Sequence, residues 1–401
     1  PTMAFDHQSF LKSLTQRPGI YQMLDGDGQV LYVGKAKNLK NRVTSYFRST
    51  GLTAKTAALV KRIISIDVTV TETETEALIL EHNLIKQYRP PFNILMRDDK
   101  SYPYIFLSDK DRWPRLSFHR GPKKAKGTYF GPFPSVHAVR DSMGFLQKTF
   151  KVRQCEDVFF KNRSRPCLQY QIKRCTAPCV DLVTPDDYAV DVNLTRLYLD
   201  GKADKILQQL EGDMETAAMD LQFEKAAEHR DQISALRQVQ AQQMIEKGSG
   251  TIDIVAGAVS NGQACVHMLY VRQGRILGSR SYYPKTPLAE QVSDLLDEFV
   301  PQLYLDGGGR PDLPKEILVN AQFDGAQVLT DALSERIGRN IEIRDNVRGF
   351  RAKWLELAQR TAEQNLSGKL ASKQTLQQRF ESLRDTLGLD STPERLECFD
   401  I

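Results

Sequence analysis

Cysteine and tryptophan are scarce in this chain, at six and two of 401 residues. No stretch of about 18 consecutive apolar residues occurs, which excludes a helical membrane span. So few cysteines exclude a small secreted scaffold stapled by disulfides. The opening PTMAFDHQSF lacks a basic stretch followed by an apolar one, so a cytoplasmic location is expected. Hydrophobic residues at 41% and charged residues at 26% are ordinary for a folded protein and wrong for a disordered one. At roughly 100–200 residues per domain, two to four domains are expected.

The formal net charge of +5 conceals a division. Residues 1–180 hold 30 Lys+Arg against 15 Asp+Glu, whereas residues 181–401 hold 25 against 35. A solvated basic face accounts for such a bias without a partner, but its concentration in one part of the chain points to a polyanion there. Four of the six cysteines, Cys155, Cys167, Cys175 and Cys179, fall within 25 residues. In a reducing compartment such a group favours metal over disulfides. The spacing C-x11-C-x7-C-x3-C lacks the paired knuckles of a zinc ribbon, so zinc and an iron–sulfur cluster both remain open.

Residues 17–34, RPGIYQMLDGDGQVLYVG, read as a hairpin around Asp25-Gly26-Asp27-Gly28. A symmetric turn would set Tyr21 directly opposite Tyr32, with Cβ atoms about 5 Å apart. Cross-strand aromatic packing is the simplest use of that pair. Helices are expected over 38–48 and 75–88, with strand 65–70 between them and Pro90-Pro91 stopping the second helix. Lys35, Leu39, Arg42 and Tyr46 recur at helical intervals, so Arg42 and Tyr46 share a face. Glu81 sits among Ala77, Leu78, Leu84, Ile85 and Tyr88, where a carboxylate is costly to bury unless paired or metal-bound. Glu72, Glu74 and Glu76 read as solvated acids at a helix N-terminus.

Further along, 99–150 reads as a strand-rich connector and 151–185 as a module around the four cysteines. Residues 200–245 read as an amphipathic helical hairpin, followed by a Gly248-Ser249-Gly250 linker. Over 250–388, three antiparallel strands (251–260, 264–272, 275–282) precede alternating helices and strands, the order of an RNase H-like domain. Its first strand carries Asp253 but its fourth ends in Asn320, and one carboxylate cannot hold a two-metal site. A catalytically silent domain is therefore expected.

GIY at 19–21, YVG at 32–34, Arg42, Glu81 and Asn93 resemble the GIY-YIG nuclease superfamily. The longer strings YVGKAKNLKNRVTSYF and ILEHNLIKQYRPPFN resemble the UvrC family, the nuclease component of the bacterial excinuclease ABC. Val33 replaces the isoleucine of the motif and leaves its polar groups intact. The resemblance implies a multidomain α/β chain whose first domain, 1–98, is an α/β nuclease. It implies Glu81 as ligand of one Mg²⁺ or Mn²⁺ ion, Tyr32 as base for water, and Arg42 and Lys35 on the phosphate. Tyr21, Tyr46 and Asn93 would orient the site. The base role requires metal and cations to lower a phenol pKa that is ordinarily about 10.

The same resemblance turns the cysteines toward a [4Fe-4S] cluster rather than Zn²⁺. Arg153, Lys161, Arg163, Arg165, Lys173 and Arg174 would then surround it on a DNA-facing surface. FEKAAEHRDQI resembles the UVR motif, which implies docking of 203–243 on UvrB, with Phe223 as anchor and Glu224, Glu228, Arg230 and Asp231 as polar rim. Damaged double-stranded DNA and, through the UvrB–DNA complex, UvrA would be the other partners. LECFDI at 396–401 looks like the opening strand of a second nuclease domain (392–401), with Asp400 in its first acid position. The activity implied is metal-dependent incision 3′ to a lesion. A non-catalytic DNA-binding repair scaffold is the rival reading, opposed by the intact Tyr32, Arg42 and Glu81. A homing-type endonuclease would leave the UVR-like pair unexplained.

Overall fold

The computed structural model of the chain describes residues 5–48, 52–96, 102–242, 250–285, 288–305 and 313–392. Asp400 and the strand expected at 392–401 lie outside these residues, except for residue 392 itself, as do residues 243–245 of the expected hairpin and Gly248 and Ser249 of the expected linker.

The first domain runs α1 (His7–Ser13), β1 (Gly19–Leu24), β2 (Val30–Ala36), α2 (Leu39–Ser45), α3 (Ala54–Arg62), β3 (Ser65–Val70) and α4 (Glu74–Tyr88). Its sheet has the order β2-β1-β3, antiparallel throughout. The hairpin forms, but Tyr21 pairs with Gly34 and Tyr32 with Met23, so the two tyrosines are diagonal neighbours rather than directly opposed. The shift arises at the turn: Asp25 Oδ1 accepts from Asp27 N and Gln29 N, and a register irregularity follows at Met23/Leu24. That capping pulls the turn away from symmetry. Helix α2 is shorter than the periodicity suggests, starting after the Asn38 cap and ending before Tyr46. Thr73 Oγ1 caps α4 by accepting from Glu76 N, Glu76 Oε2 accepts from Glu72 N, and both acids are exposed. Helix α3 was not visible in the pattern.

The middle of the chain holds β4 (Pro103–Leu107), β5 (Leu116–Arg120) and β6 (Thr128–Phe130) in the order β5-β4-β6. They are followed by α5 (Val136–Phe150), α6 (Asp157–Lys161), α7 (Leu168–Gln171), a 3₁₀ turn at Pro178–Val180, and α8 (Pro185–Leu199). The helical hairpin is α9 (Ala203–Met219) and α10 (Phe223–Gln242). One core joins Ile105, Leu116, Val139, Phe150, Tyr188, Leu210 and Leu236. The expected division near 150 therefore falls inside a single packed unit, and the expected connector contributes the four-turn helix α5 as well as strands.

The last domain contains β7 (Thr251–Ser260), β8 (Gln263–Arg272), β9 (Arg275–Tyr282), α11 (Val292–Leu305), β10 (Glu316–Val319), α12 (Ala326–Ile337), β11 (Glu342–Arg344) and α13 (Phe350–Leu387). The sheet order is β11-β10-β7-β8-β9, antiparallel across β7-β8-β9 and parallel where β10 meets β7 and β11. This is the anticipated RNase H-like arrangement. Among the described residues no helix is long and apolar enough to cross a membrane.

Candidate active site

Tyr21 on β1, Tyr32 on β2 and Tyr46 at the end of α2 form a triangle of rings. Their centroids are 6.1 Å (21–32), 5.9 Å (21–46) and 6.2 Å (32–46) apart. The Tyr21 and Tyr46 hydroxyls are hydrogen-bonded at 2.9 Å, and Arg42 Nε donates to the Tyr21 hydroxyl at 3.3 Å. The Arg42 guanidinium also lies 5.6 Å from the Tyr46 ring centroid. Tyr21 and then Tyr46 raise Arg42 above its ordinary range, which keeps the cation charged in a largely buried place. Gly34 is required by this packing, because a Cβ there would meet the Tyr21 hydroxyl oxygen at 2.3 Å.

Glu81 reaches the site from α4. Its Oε1 accepts from Lys35 N at 2.9 Å, and its Oε2 lies 3.5 Å from Lys35 Nζ. Burial pushes the Glu81 carboxyl up, Lys35 opposes this, and Asp297 adds to it. Burial alone would lower Lys35, but Glu81 and then Asp297 outweigh it and hold the ammonium above its usual value. Asn93 Oδ1 accepts from Val33 N and its Nδ2 donates to Val33 O, both at 2.8 Å. With both polar atoms spent on β2, Asn93 positions the strand that carries Tyr32 and Lys35.

Tyr32 departs from expectation. Burial, followed by Tyr46, Glu298 and Tyr21, holds its phenol well above 10, and Arg42 opposes them. In this arrangement the lowering that a base requires is not supplied. Glu298, which acts on Tyr32, and Asp297, which acts on Lys35 and Glu81, both lie on α11 of the last domain and were not singled out in the sequence. Nothing local distinguishes them from solvated helix acids.

The residues suit a divalent cation of one kind. Among the described residues no three His, Cys, Asp or Glu side chains are grouped to hold a metal. An ion here would take Glu81 as its protein ligand and water elsewhere, a mode that suits magnesium's reluctance to dehydrate.

The other expected residues are more dispersed. Cys155, Cys167, Cys175 and Cys179 are unpaired and partly exposed. Burial, then repulsion from Cys155, Cys167 and Cys179, pushes Cys175 up to about 11, and Cys179 is raised by burial and by Cys155 and Cys167. The four sulfurs thus lie within electrostatic reach of one another without being grouped around a single ion. Arg153 is not on the surface: it is 3% exposed and bonded to Trp113 O, Cys155 O and Asp157. Its charge serves the internal scaffold, while Lys161, Arg163, Arg165, Lys173 and Arg174 are exposed. Phe223 is 66% exposed beside Leu221 at 73%. Glu224 is exposed, Arg230 pairs with Asp231, and Glu228 pairs with Lys151 at 3.0 Å.

Four family models match in succession: UvrC-like GIY-YIG domain over 17–94, UvrC/Cho excinuclease middle domain over 102–197, UvrB/uvrC motif over 204–239, and UvrC ribonuclease H-like domain over 251–369. UvrABC system protein C of Saccharophagus degradans is 56% identical across the whole chain, and that of Pseudomonas putida is 54% identical over 400 residues. The chain belongs to the UvrC family. It spans 65% and 66% of the lengths of these two relatives. A crystal structure of the GIY-YIG N-terminal endonuclease domain of UvrC from Thermotoga maritima, bound to magnesium, is 36% identical to the matched part. It covers 21% of this chain and 93% of its own, with a TM-score of 0.20. In UvrC terms, the tyrosine triangle with Arg42, Lys35 and Glu81 falls in the GIY-YIG domain, and α9–α10 coincide with the UvrB/uvrC motif.

Proposed function

We propose that this chain is the DNA endonuclease component of nucleotide excision repair, hydrolysing a phosphodiester of damaged duplex DNA 3′ to the lesion. The observation that carries the reading is the convergence of Tyr21, Tyr32, Tyr46, Arg42, Lys35 and Glu81 from four elements of one domain. Arg42 and Lys35 would bind the non-bridging oxygens and stabilise the charge that develops on them. Tyr32 would take the proton of the attacking water once DNA and solvent replace its present buried surroundings. Tyr21 and Tyr46 hold Arg42 in place. A bound Mg²⁺ or Mn²⁺ ion on Glu81 would supply Lewis-acid stabilisation of the phosphoryl group and the leaving oxygen.

Docking on UvrB is assigned to α9–α10, supported by the exposed Leu221 and Phe223 at the turn between them. UvrA would act indirectly, through the UvrB–DNA complex. A [4Fe-4S] cluster is assigned to Cys155, Cys167, Cys175 and Cys179. Zinc with sulfurs at about 2.3 Å needs them under about 4 Å apart. A cube of four irons separates its thiolates more widely, and Zn²⁺ on the same four cysteines is the alternative.

The RNase H-like domain is assigned no chemistry. Asp253 is fully buried and already accepts from Arg272 Nη1 at 2.8 Å and the Tyr304 hydroxyl at 2.9 Å. Asn320 bonds both ways to the Gly257 backbone.

The test is nicking of a lesion-bearing duplex with and without UvrB and divalent metal, using wild type and Glu81→Gln. Metal-dependent nicking lost in Glu81→Gln, with folding retained, is expected. Near wild-type nicking by Glu81→Gln would dismiss the ligand assignment.

A further inference from the structure

Two carboxylates of α11 reach the GIY-YIG site from the RNase H-like domain. Asp297 Oδ2 lies 2.9 Å from Lys35 Nζ, nearer than Glu81 Oε2 at 3.5 Å. Asp297 Oδ1 accepts from Gly325 N at 2.7 Å, so its own domain aims this carboxylate at the lysine. Glu298 Oε2 accepts from Ile94 N at 3.0 Å, and Gln302 donates to Ile94 O at 2.6 Å and accepts from Met96 N at 3.2 Å. Leu78, Ile94 and Met96 pack into the core that contains Phe299 and Leu303. Apolar packing and directed hydrogen bonds therefore hold α11 against the nuclease domain.

We propose that Asp297 is an internal phosphate mimic: its carboxylate occupies Lys35 and, with α11 laid beside the site, keeps the nuclease closed until the two domains part. The inference rests on reading Lys35 as a phosphate-binding residue. A carboxylate and a phosphodiester compete for the same ammonium, and only one can hold it. Asp297 also repels an incoming phosphate. Glu298 further helps to keep Tyr32 a neutral phenol. Separation of the domains would release the cation.

The test uses the full chain and two variants. Asp297→Asn retains an acceptor for Gly325 N but loses the charge. Gly325→Ala keeps the charge and displaces it: a Cβ there would stand 2.5 Å from Asp297 Oδ1 and 3.3 Å from Lys35 Cε. Binding to undamaged duplex is measured by fluorescence anisotropy across a salt series in EDTA, and nicking separately with Mg²⁺ or Mn²⁺. Once Lys35 is free to bind a phosphate, the slope of log K against log salt steepens by about 0.9 in both variants. Nicking should rise above wild type. Adding Lys35→Gln to Asp297→Asn should return the slope to the wild-type value. Unchanged slopes in both variants, a slope that stays steep without Lys35, or nicking lost in folded Asp297→Asn would each overturn the proposal. The last result would place Asp297 in the hydrolytic machinery instead. If no form nicks with either metal, the nuclease reading fails, while the salt slopes still decide the Asp297 contact.

Discussion

An alanine at Gly34 would drive its Cβ into the Tyr21 side chain, 2.3 Å from the hydroxyl oxygen and 2.4 Å from Cζ. Ordinary contact begins near 3.4 Å, so either the ring or β2 must move by about 1 Å. Both are held. Tyr21 is fully buried, with its hydroxyl bonded to Tyr46 and Arg42, and β2 is clamped at Val33 by the Asn93 amide. Overpacking of this kind costs about 1–3 kcal/mol. A shift of about 1 Å in a group that positions Arg42 can lower a rate by about 10²-fold. The expected result for Gly34→Ala is therefore a folded protein whose incision at saturating UvrB falls by about that factor. Because a chain of several domains need not unfold in one step, stability is best followed by hydrogen exchange in β1 and β2 peptides. The Tyr21→Leu background isolates the cause. With the ring gone, the stability penalty of Gly34→Ala should largely disappear, a coupling of about 0.5–3 kcal/mol. Wild-type rate and exchange in Gly34→Ala, or the same penalty in both backgrounds, would refute the steric argument.

Anaerobically purified protein should be brown, with broad absorbance near ~400 nm from cysteine-ligated iron and sulfur; colourless protein with one zinc per chain would restore the zinc reading. Phe223→Ala should leave the melting profile almost unchanged, because the side chain is mostly solvated within this chain. It should still weaken docking tenfold or more, by losing about 1.5–3 kcal/mol of burial in the partner. Incision should then fall at limiting UvrB and recover when UvrB is raised. A defect that persists at saturating UvrB would return these helices to the nuclease core.

What could be read in advance was local. The strands of the first and last sheets follow from short alternating or apolar runs bounded by turns, and β3, β7 and β9 fall at the expected residues. Glu81 was conspicuous because a carboxylate within an apolar stripe needs a partner, and Lys35 is that partner. The misjudged features depended on side-chain chemistry that a hydropathy pattern does not carry. Asp25 reshapes the hairpin turn by capping two amides, which moves the tyrosines from opposite to diagonal. Arg153 looked like a surface cation until its guanidinium was seen to bind two carbonyls and Asp157 inside the middle unit. The least legible contact was Lys35 with Asp297, 262 residues apart, since nothing in α11 marks one acid above its neighbours.

The fate of Asp253 bears on that contact. In a working RNase H-like domain the first-strand acid must face metal and solvent. Here Asp253 is buried, with Arg272 satisfying one oxygen and the Tyr304 hydroxyl the other. Tyr304 lies on α11, so the acid ties that helix to β7. The same helix presents Asp297, Glu298 and Gln302 to the GIY-YIG domain. Truncating one partner of a buried, hydrogen-bonded charge pair leaves the other uncompensated, at a cost of about 3–5 kcal/mol. That charge pair lies within the sheet, and the Tyr304 hydroxyl is what links the buried acid to α11. If Asp297 competes with a phosphate for Lys35, an acid buried in one domain bears on ion pairing in the other.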